Sequence, residues 1–327
     1  MIDITVLLFE GGHASTSVGP LEVFTDAGAL WNVWIGKEPK PLFTVRTATA
    51  TGEPVTPHGP YQLVPSCGIG DIDKTDLVFV PSTGLELDTF IENNRDVVPW
   101  LKEQREKGAR IAAVCAGVAL LGEAGLLNGR RATTHWGLVE EYRRRYPAAL
   151  WNPDVMVTEE DGIYTGAGVY AALDLSLYLV EKLAGHFHAV QTAKSLLINM
   201  PRSCQSRFAI MPLGRAHQDA FIRRAEDRIH EIYAQDINLD DLARDLGMSR
   251  RNFIRRFKEA TGESPRTYIQ KLRVTVARQL LEEEHKTVQE ISSSVGYDDV
   301  AFFREVFKRH TGDSPAVYRE QFAPGGV

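Results

Sequence analysis

RIAAVCAGVALLGEAGLL, residues 110–127, contains an apolar segment of strand length that is followed directly by a segment with the composition of a helix. A strand that leads straight into a helix is typical of the β-α units of a parallel sheet. Cys115 lies where the strand would end, and Gly117 allows the backbone a close approach at the turn. We therefore predict an α/β fold with Cys115 at the carboxyl end of a buried strand.

The same alternation extends to both sides of this stretch. Strand-like apolar runs occupy residues 4–9, 43–49, 76–82 and 161–168. Helix-like segments occupy residues 19–30, 88–108 and 169–185. Strands that alternate with helices predict a parallel sheet covered on both faces, and binding sites in such sheets lie beyond the carboxyl ends of the strands.

Two interpretations of Cys115 are open at this level. A thiol on a strand-to-helix turn is exposed at the top of the sheet, and the adjoining helix N-terminus would lower its pKa and offer N–H groups to an anion. Alternatively, Cys115 is a small buried apolar residue. His135, in the sequence Thr-Thr-His-Trp, also has two interpretations: it serves either in catalysis or in ordering a loop.

The longer segment AVCAGVALLGEAGLLNGRRATTHW, residues 113–136, resembles the amidotransferase-like superfamily, which includes PfpI-type proteases and isonitrile hydratases. The resemblance extends over residues 1–190. It implies a flavodoxin-like α/β fold, with Cys115 at the nucleophile elbow and His135 nearby.

The sequence departs from the active members of that superfamily at two places. Those members usually carry an acid before the proline of the first β-α turn, where this chain has Thr16. The usual pair of glycines after the strand at 76–82 is replaced by Ser82-Thr83-Gly84. Because a threonine cannot act as a general base at neutral pH, we predict that this domain is not an enzyme. Cys115 and His135 would then be vestigial, and we expect neither a cofactor nor a metal.

A ligand pocket is predicted at the carboxyl ends of the strands around Cys115. A neutral rim with a tryptophan suits an amine or amide metabolite. The predicted lining residues are Glu10, Thr16, Thr83, Gly84, Cys115, His135, Trp136, Gly166 and Gly168. The first domain would sense a small metabolite there or mediate dimerisation.

Composition and charge limit the class of protein. The three cysteines match neither a disulfide framework nor a zinc pattern, so we expect a cytoplasmic protein. No apolar run approaches the ~20 residues needed to span a bilayer, and no membrane partner is expected. The net charge of −6 argues against nucleic-acid binding, yet residues 249–278 hold nine Lys or Arg against two Glu, a net of +7. A local field of that size attracts phosphate even on an acidic protein.

An internal repeat dominates the last third of the chain. NFIRRFKEATGESPRTYI, residues 252–269, matches FFREVFKRHTGDSPAVYR, residues 302–319, at a shift of 50. Each copy joins a short helix, a turn and a second helix, over residues 238–261 and 287–311. The second helices are predicted at 250–261 and 300–311. A helix-turn-helix places its second helix in the major groove, where arginine suits guanine and asparagine suits adenine.

The predicted DNA-binding residues lie on the outward faces of the two second helices. They are Ser249, Arg250, Arg251, Asn252, Arg255, Arg256, Lys258, Ala301, Arg304 and Lys308. The second copy holds fewer basic residues, so we expect it to contribute less affinity. A basic helical bundle with solvated faces is the alternative, but two matched copies are hard to explain in that way.

The repeated Thr-Gly-x-Ser-Pro-x-x-Tyr pattern closely resembles the DNA-binding domain of the AraC/XylS family, over roughly residues 219–323. The resemblance implies a transcription regulator whose two helix-turn-helix units read successive major-groove faces. We thus predict an α/β domain at 1–198, a linker at 199–217 and an all-α DNA-binding domain at 218–323. The expected partners are double-stranded promoter DNA, a small-molecule effector, a second copy of the chain and RNA polymerase.

Two competing functions also use Cys115. The first is a thiol-dependent hydrolase or hydratase fused to a DNA-binding domain. The second is a redox sensor in which oxidation of Cys115 changes the affinity for DNA. The reactivity of the thiol distinguishes both from the non-catalytic regulator.

Overall fold

The computed structural model describes residues 1–84, 86–200, 202, 205, 208, 217–283 and 286–322. The chain divides into two compact units, Met1–Gln205 and Ser206–Val327. The boundary falls inside the segment predicted as a linker. Most of that segment, including Cys204, lies outside the described residues, as does the predicted domain end at 323.

A seven-stranded sheet forms the centre of the first unit. The strands of this unit are β1 (Ile2–Leu7), β2 (Phe43–Thr49), β3 (Cys67–Gly68), β4 (Leu77–Val80), β5 (Arg110–Val114), β6 (Arg131–Ala132), β7 (Leu150–Trp151), β8 (Val157–Glu160) and β9 (Ile163–Gly166). The order in the sheet is β3-β2-β1-β4-β5-β9-β8, while β6 and β7 pair separately. All neighbours in the large sheet are parallel except β8 and β9. The flavodoxin-like prediction is confirmed, and the strand order reverses its direction between β1 and β4.

Helices cover both faces of this sheet. They are α1 (Ser15–Asp26), α2 (Leu30–Trp34), α3 (Leu87–Asn93), α4 (Val97–Glu106), α5 (Val118–Glu123), α6 (Val139–Arg145), α7 (Ala171–Ala184) and α8 (His186–Ser195). Alternate residues of each strand enter opposite cores, as the pleat of a strand requires. In β4, Val78 and Val80 join the core that contains Leu101, whereas Leu77 and Phe79 join the other core.

The helix predicted over 88–108 is in fact two helices, α3 and α4. Asn94 follows α3, and its side-chain amide donates to Phe90 O at 2.9 Å, which ends the first helix. Pro99 then lies in the first turn of α4, where a missing N–H costs no hydrogen bond. The apolar periodicity of the sequence continues across the break between α3 and α4. The helix itself is interrupted there by the local capping.

The second unit consists of helices in the part of the chain that the structure describes. They are α9 (Ala220–Ile232), α10 (Leu239–Asp245), α11 (Arg250–Thr261), α12 (Pro265–Glu283), α13 (Val288–Ser294), α14 (Val300–Thr311) and α15 (Pro315–Phe322). The pairs α10–α11 and α13–α14 are the two helix-turn-helix units, and α12 connects them. Both α11 and α14 end at a glycine in the left-handed conformation, Gly262 and Gly312.

Each helix-turn-helix unit has its own aromatic core, built from equivalent residues. Phe253, Phe257 and Tyr268 pack together in the first unit. Phe303, Phe307 and Tyr318 repeat this arrangement in the second. The sequence repeat is therefore a repeat of cores, and it fixes which faces of α11 and α14 point to solvent.

None of the described helices combines the length and the apolar character that crossing a bilayer requires. Among the same residues, no three His, Cys, Asp or Glu side chains gather closely enough to hold a metal ion.

Candidate functional sites

Cys115 occupies a strained turn between β5 and α5. Its φ is +53°, a left-handed conformation that a non-glycine residue rarely adopts. Two residues on, a Cβ added to Gly117 would lie 2.1 Å from Pro81 O, so only glycine fits there. The backbone geometry of a nucleophile elbow is thus present at the carboxyl end of the strand.

The electrostatics of Cys115 do not favour a thiolate. The residue is buried, at 5% exposure, and desolvation raises the pKa of its thiol. Hydrogen bonds from the Ser82 hydroxyl and from the Ala116 backbone act in the opposite direction without reversing the shift. The helix N-terminus alone led us to expect a lowered pKa. The burial of the thiol outweighs that effect.

Thr16, at the position where active relatives carry an acid, is fully buried and committed to local structure. Its hydroxyl lies 2.7 Å from His13 O, to which it donates, and it accepts from Ser82 N at 3.0 Å. Thr16 therefore positions the backbone of Ser82 beside Cys115. It provides no carboxylate to hold or move a proton.

His135 is held by its own loop. Its ring lies 5.0 Å from the ring of Trp136, and its Nδ1 accepts from Gly137 N at 3.0 Å. Desolvation lowers the pKa of His135, so the imidazole is neutral at pH 7. A Cβ on Gly168 would lie 2.8 Å from His135 Cδ2, which explains the need for glycine at that position.

A cavity of about 420 Å³ opens at the carboxyl ends of β1, β2 and β4. Three of the predicted ligand residues line it, namely Glu10, Thr83 and Gly84. The other side chains of its wall were not predicted from the sequence, and they are Leu8, Phe9, Thr49, Ala50, Thr51, Val55, Glu86, Thr89, Phe90, Asn93 and Asn94. The remaining predicted residues are not among the lining: Thr16, Cys115, His135, Trp136, Gly166 and Gly168. The predicted pocket is thus divided into an open cavity and a buried cluster around the thiol.

The sequence analysis also missed Gln205, which belongs to this buried cluster. Its side chain is 2% exposed and contacts the loop that carries His135 and Trp136. The stretch around it contains prolines and glycine without periodicity, so nothing in the sequence distinguished it from the rest of the predicted linker.

The outward face of α11 carries most of the predicted DNA-binding residues. Arg250, Arg251, Asn252, Arg255 and Lys258 are all exposed. Ser249 is the N-cap of this helix and accepts from the backbone N–H of Asn252. Arg250 and Arg255 form solvent-exposed ion pairs with Asp240 and Glu259, at 2.9 Å and 2.7 Å. Exposed pairs of this kind are weak, so the guanidinium groups remain available to a phosphate or a base.

Arg256, next to Arg255 in sequence, has a different environment. It is half-buried, and its NH2 group donates to Asp219 Oδ1 at 3.0 Å. Its guanidinium also lies 4.7 Å from the centre of the Phe221 ring. These contacts join α11 to the start of α9, so Arg256 has a structural role within the domain.

The outward face of α14 is less basic. Ala301, Arg304 and Lys308 are exposed on it, as predicted, and Glu305 shares the exposed surface. Asp299 caps this helix by accepting from the backbone N–H of Ala301 at 2.8 Å. The two helix-turn-helix units thus present one strongly basic and one mixed surface.

Two family models match the chain. The one described as the DJ-1/PfpI family matches residues 3–182. The one described as a helix-turn-helix domain matches residues 242–321. The first match covers more than half of the chain, and the second covers both helix-turn-helix units from α10 to α15.

Individual proteins resemble either the whole chain or its first unit. The HTH-type transcriptional regulator GbdR of Pseudomonas aeruginosa is 25% identical over 286 residues, which are 85% of this chain and 75% of that protein. The isonitrile hydratase of Pseudomonas putida is 32% identical over 133 residues, 40% of this chain and 56% of that enzyme. Among solved structures, Drosophila melanogaster DJ-1beta superposes with a TM-score of 0.51 at 22% identity, covering 61% of this chain and 98% of that one. This structural likeness concerns the fold alone.

Proposed function

Because this chain belongs to the DJ-1/PfpI family and carries an AraC-type helix-turn-helix domain, we propose that it is a DNA-binding transcription regulator with a non-catalytic first unit. The match to the regulator GbdR is long enough to include both units, whereas the match to the isonitrile hydratase covers 40% of the chain. Promoter DNA is the partner that this domain combination implies.

The duplicated reader in the second unit carries this proposal. α11 and α14 each run for 12 residues, end at a left-handed glycine, and bury equivalent phenylalanines. Their buried faces are therefore fixed, and the exposed residues of α11 are Arg250, Arg251, Asn252, Arg255, Lys258 and Glu259. Such a face delivers phosphate contacts and base contacts from one helix in the major groove.

Binding-site selection tests this function. The full chain is used to enrich duplexes from a random pool, and affinity for the selected duplex is then measured for Arg251→Ala, Arg255→Ala and the control Arg228→Ala. Arg228 is an equally exposed arginine that pairs with Glu231 on α9. Each base-reading arginine should weaken binding about tenfold to a hundredfold, at roughly 1–3 kcal/mol per contact. The control should stay within twofold. If all three variants bind like the wild type, the assignment of α11 is wrong.

The first unit binds a small effector in the cavity between the ends of β1 and β4. Support comes from its position at the point where the strand order reverses, the usual ligand site of open α/β sheets. A compound that raises the unfolding midpoint of the chain should lose that effect in Thr51→Trp, which fills the cavity from an exposed lining position. Thr25→Trp, an exposed position outside the lining, is the control. Equal shifts in both variants would place the effector elsewhere.

A thiol enzyme is the second candidate, favoured by the left-handed backbone of Cys115. Against it stand the buried thiol with its raised pKa and the threonine in place of an acid. Incubation with an aliphatic isonitrile decides between the two. An isonitrile hydratase would add water and release an N-substituted formamide. We expect no formamide above the level of Cys115→Ser, and Cys115-dependent product would refute the non-catalytic proposal.

Dimerisation, a cytoplasmic location and contact with RNA polymerase complete the proposal. Two copies bound to adjacent half-sites raise the effective concentration of each DNA-binding unit. Sedimentation of the full chain with and without the selected duplex tests the dimer. A single species of monomer mass under both conditions would contradict dimerisation.

A further inference from the structure

The first unit ends on a buried amide that contacts the loop of His135. Gln205 is the last residue of that unit. Its Nε2 donates to Thr134 O at 2.8 Å and to Thr133 Oγ1 at 3.2 Å, and its Oε1 accepts from Trp136 N at 3.1 Å. The side chain thus satisfies backbone groups that would otherwise be buried without partners. This loop depends on a residue that lies about 70 positions further along the chain.

A second anchor lies three residues before Gln205. Arg202 donates from its backbone N–H to Asp174 Oδ1 at 2.7 Å and from its guanidinium to Asp174 Oδ2 at 2.6 Å. Asp174 is 5% exposed and belongs to α7. The backbone N–H of Gln205 also donates to Asp154 O at 3.0 Å. Arg202 is therefore held to the first unit by charged hydrogen bonds, and Gln205 is held to it by neutral ones.

Gln205 and Cys115 share one residue, Thr134. The hydroxyl of Thr134 donates to Cys115 O at 2.9 Å, while its carbonyl accepts from Gln205. On the other side of Cys115, the Ser82 hydroxyl contacts the thiol, and Thr83 lines the open cavity. A continuous series of contacts thus joins the cavity, the strained elbow and the end of the first unit.

We propose that Gln205 couples the Cys115 end of the sheet to the chain that enters the DNA-binding unit. A ligand or modification that displaces Thr134 would break the hydrogen bonds of Gln205 and free this residue from the loop. By linkage, release of Gln205 must in turn loosen the elbow by the same factor. This inference rests on the proposed function, because it states how occupancy of the first unit reaches the DNA-binding unit.

A matched pair of glutamines tests the coupling. Gln104 is also fully buried in the first unit, where it accepts from Thr75 N at 3.2 Å and donates to Asp73 O at 3.1 Å. Gln205→Met and Gln104→Met therefore remove the same kind of interaction from the same unit. Only Gln205→Met should accelerate trypsin cleavage after Arg202, by about tenfold, since the buried hydrogen bonds it removes hold the chain at Gln205.

The reciprocal effect is measured on the thiol, in full chains that carry Cys67→Ser and Cys204→Ser. Alkylation of Cys115 by iodoacetamide should be about tenfold faster in Gln205→Met than in Gln104→Met. Once Cys115 is alkylated, the otherwise unchanged chain should show the faster trypsin cleavage, and Gln205→Met should show no further increase. Equal rates for the two methionine variants in both assays would overturn the coupling.

The selected DNA duplex separates this inference from the proposed function. The coupling is expected to be about tenfold. Alkylation of Cys115 should therefore change the affinity for that duplex at least threefold in the parent chain and less than 1.5-fold in Gln205→Met. If specific DNA binding is present but alkylation leaves it unchanged, the coupling fails and the regulator stands. If no duplex is selected at all, the proposed function fails, whatever the cleavage rates show.

Discussion

Arg255 and Arg256 are neighbours of one residue type on one helix, and they have different environments in the structure. Arg255 extends from α11 into solvent, where it pairs with Glu259 at 62% and 59% side-chain exposure and donates to Asn252 Oδ1 at 2.9 Å. Arg256 joins α11 to α9 through Asp219 and the Phe221 ring. Replacing each with alanine in turn should therefore separate DNA affinity from stability.

The magnitudes follow from these contacts. Arg256→Ala loses a partly buried ion pair worth about 1 kcal/mol and a cation–π contact worth about 0.5–1 kcal/mol, together with the packing of its aliphatic stem. A total of about 2 kcal/mol corresponds to a roughly 30-fold loss of protection in the α9–α11 region. Arg255→Ala loses an exposed pair worth about 0.3–0.5 kcal/mol, which is at most a threefold change.

Peptide-resolved hydrogen exchange of the full chain measures the stability of this region directly. Tryptophan fluorescence supplies an internal control, because all five tryptophans lie in the first unit, at Trp31, Trp34, Trp100, Trp136 and Trp151. The unfolding transition of the first unit, followed by this fluorescence, should be unchanged in both variants. Affinity for the selected duplex should fall at least tenfold in Arg255→Ala and less than threefold in Arg256→Ala.

The opposite result, a loss of DNA affinity in Arg256→Ala without a loss of stability, would contradict these assignments. If Arg256→Ala lost DNA affinity as severely as Arg255→Ala while its exchange protection stayed normal, Arg256 would be a reader and its ion pair only incidental. pH provides a second check. Partial burial by itself would raise the pKa of Asp219, but hydrogen bonds from Arg256 and from two backbone N–H groups lower it below 3.8 overall. The stabilisation is therefore complete above that pH and is lost as the pH falls through the lower folded value.

Three further outcomes are expected from the first unit. Because burial raises the pKa of Cys115, its alkylation rate should reach half its maximum only above pH 9.0, and a midpoint near 7 would revive the thiol enzyme. Because burial lowers the pKa of His135, its imidazole signals in NMR spectra should titrate below 6.5, and a midpoint above that value would contradict the burial argument. Gly117→Ala places a Cβ 2.1 Å from Pro81 O, so the fluorescence-detected unfolding should lose more than about 2 kcal/mol. The control Gly70→Ala, whose Cβ meets nothing within 4 Å, should lose less than about 1 kcal/mol, and equal losses would show that the elbow is not close-packed.

Local signals in the sequence were sufficient for much of the second unit. The helices predicted at 250–261 and 300–311 begin and end at those residues, because a capping residue precedes each helix and a glycine follows it. The repeated Phe positions also identified the buried faces correctly. By contrast, the single helix predicted at 88–108 was wrong, since the Asn94 amide ends one helix and Pro99 lies in the first turn of the next.

The first unit illustrates the limit of such signals. Glu10, Thr83 and Gly84 were predicted near the site and line the open cavity, but Phe90 and Asn93 of α3 carried no signal that could place them there. Two interpretations of Cys115 were open, a thiol activated by the adjoining helix and a small buried residue, and burial raises the pKa of this thiol. A motif indicates which residue stands at the turn. It does not indicate how much solvent reaches that residue.

The amino-acid sequence by itself determined the alternation of strands and helices, the duplicated reader and the elbow at Cys115. All of these depend on residues within a few positions of one another, through periodicity, capping and turn conformation. Contacts between distant segments alone separate Arg256, which pairs with Asp219, from the exposed Arg255, and they bury Gln205 against the loop of Thr134. Their partners, Asp219 and Thr134, lie 37 and 71 positions away. Burial is a property of contacts between distant segments, and two residues of the same type in similar local sequence acquire different roles when only one of them is buried.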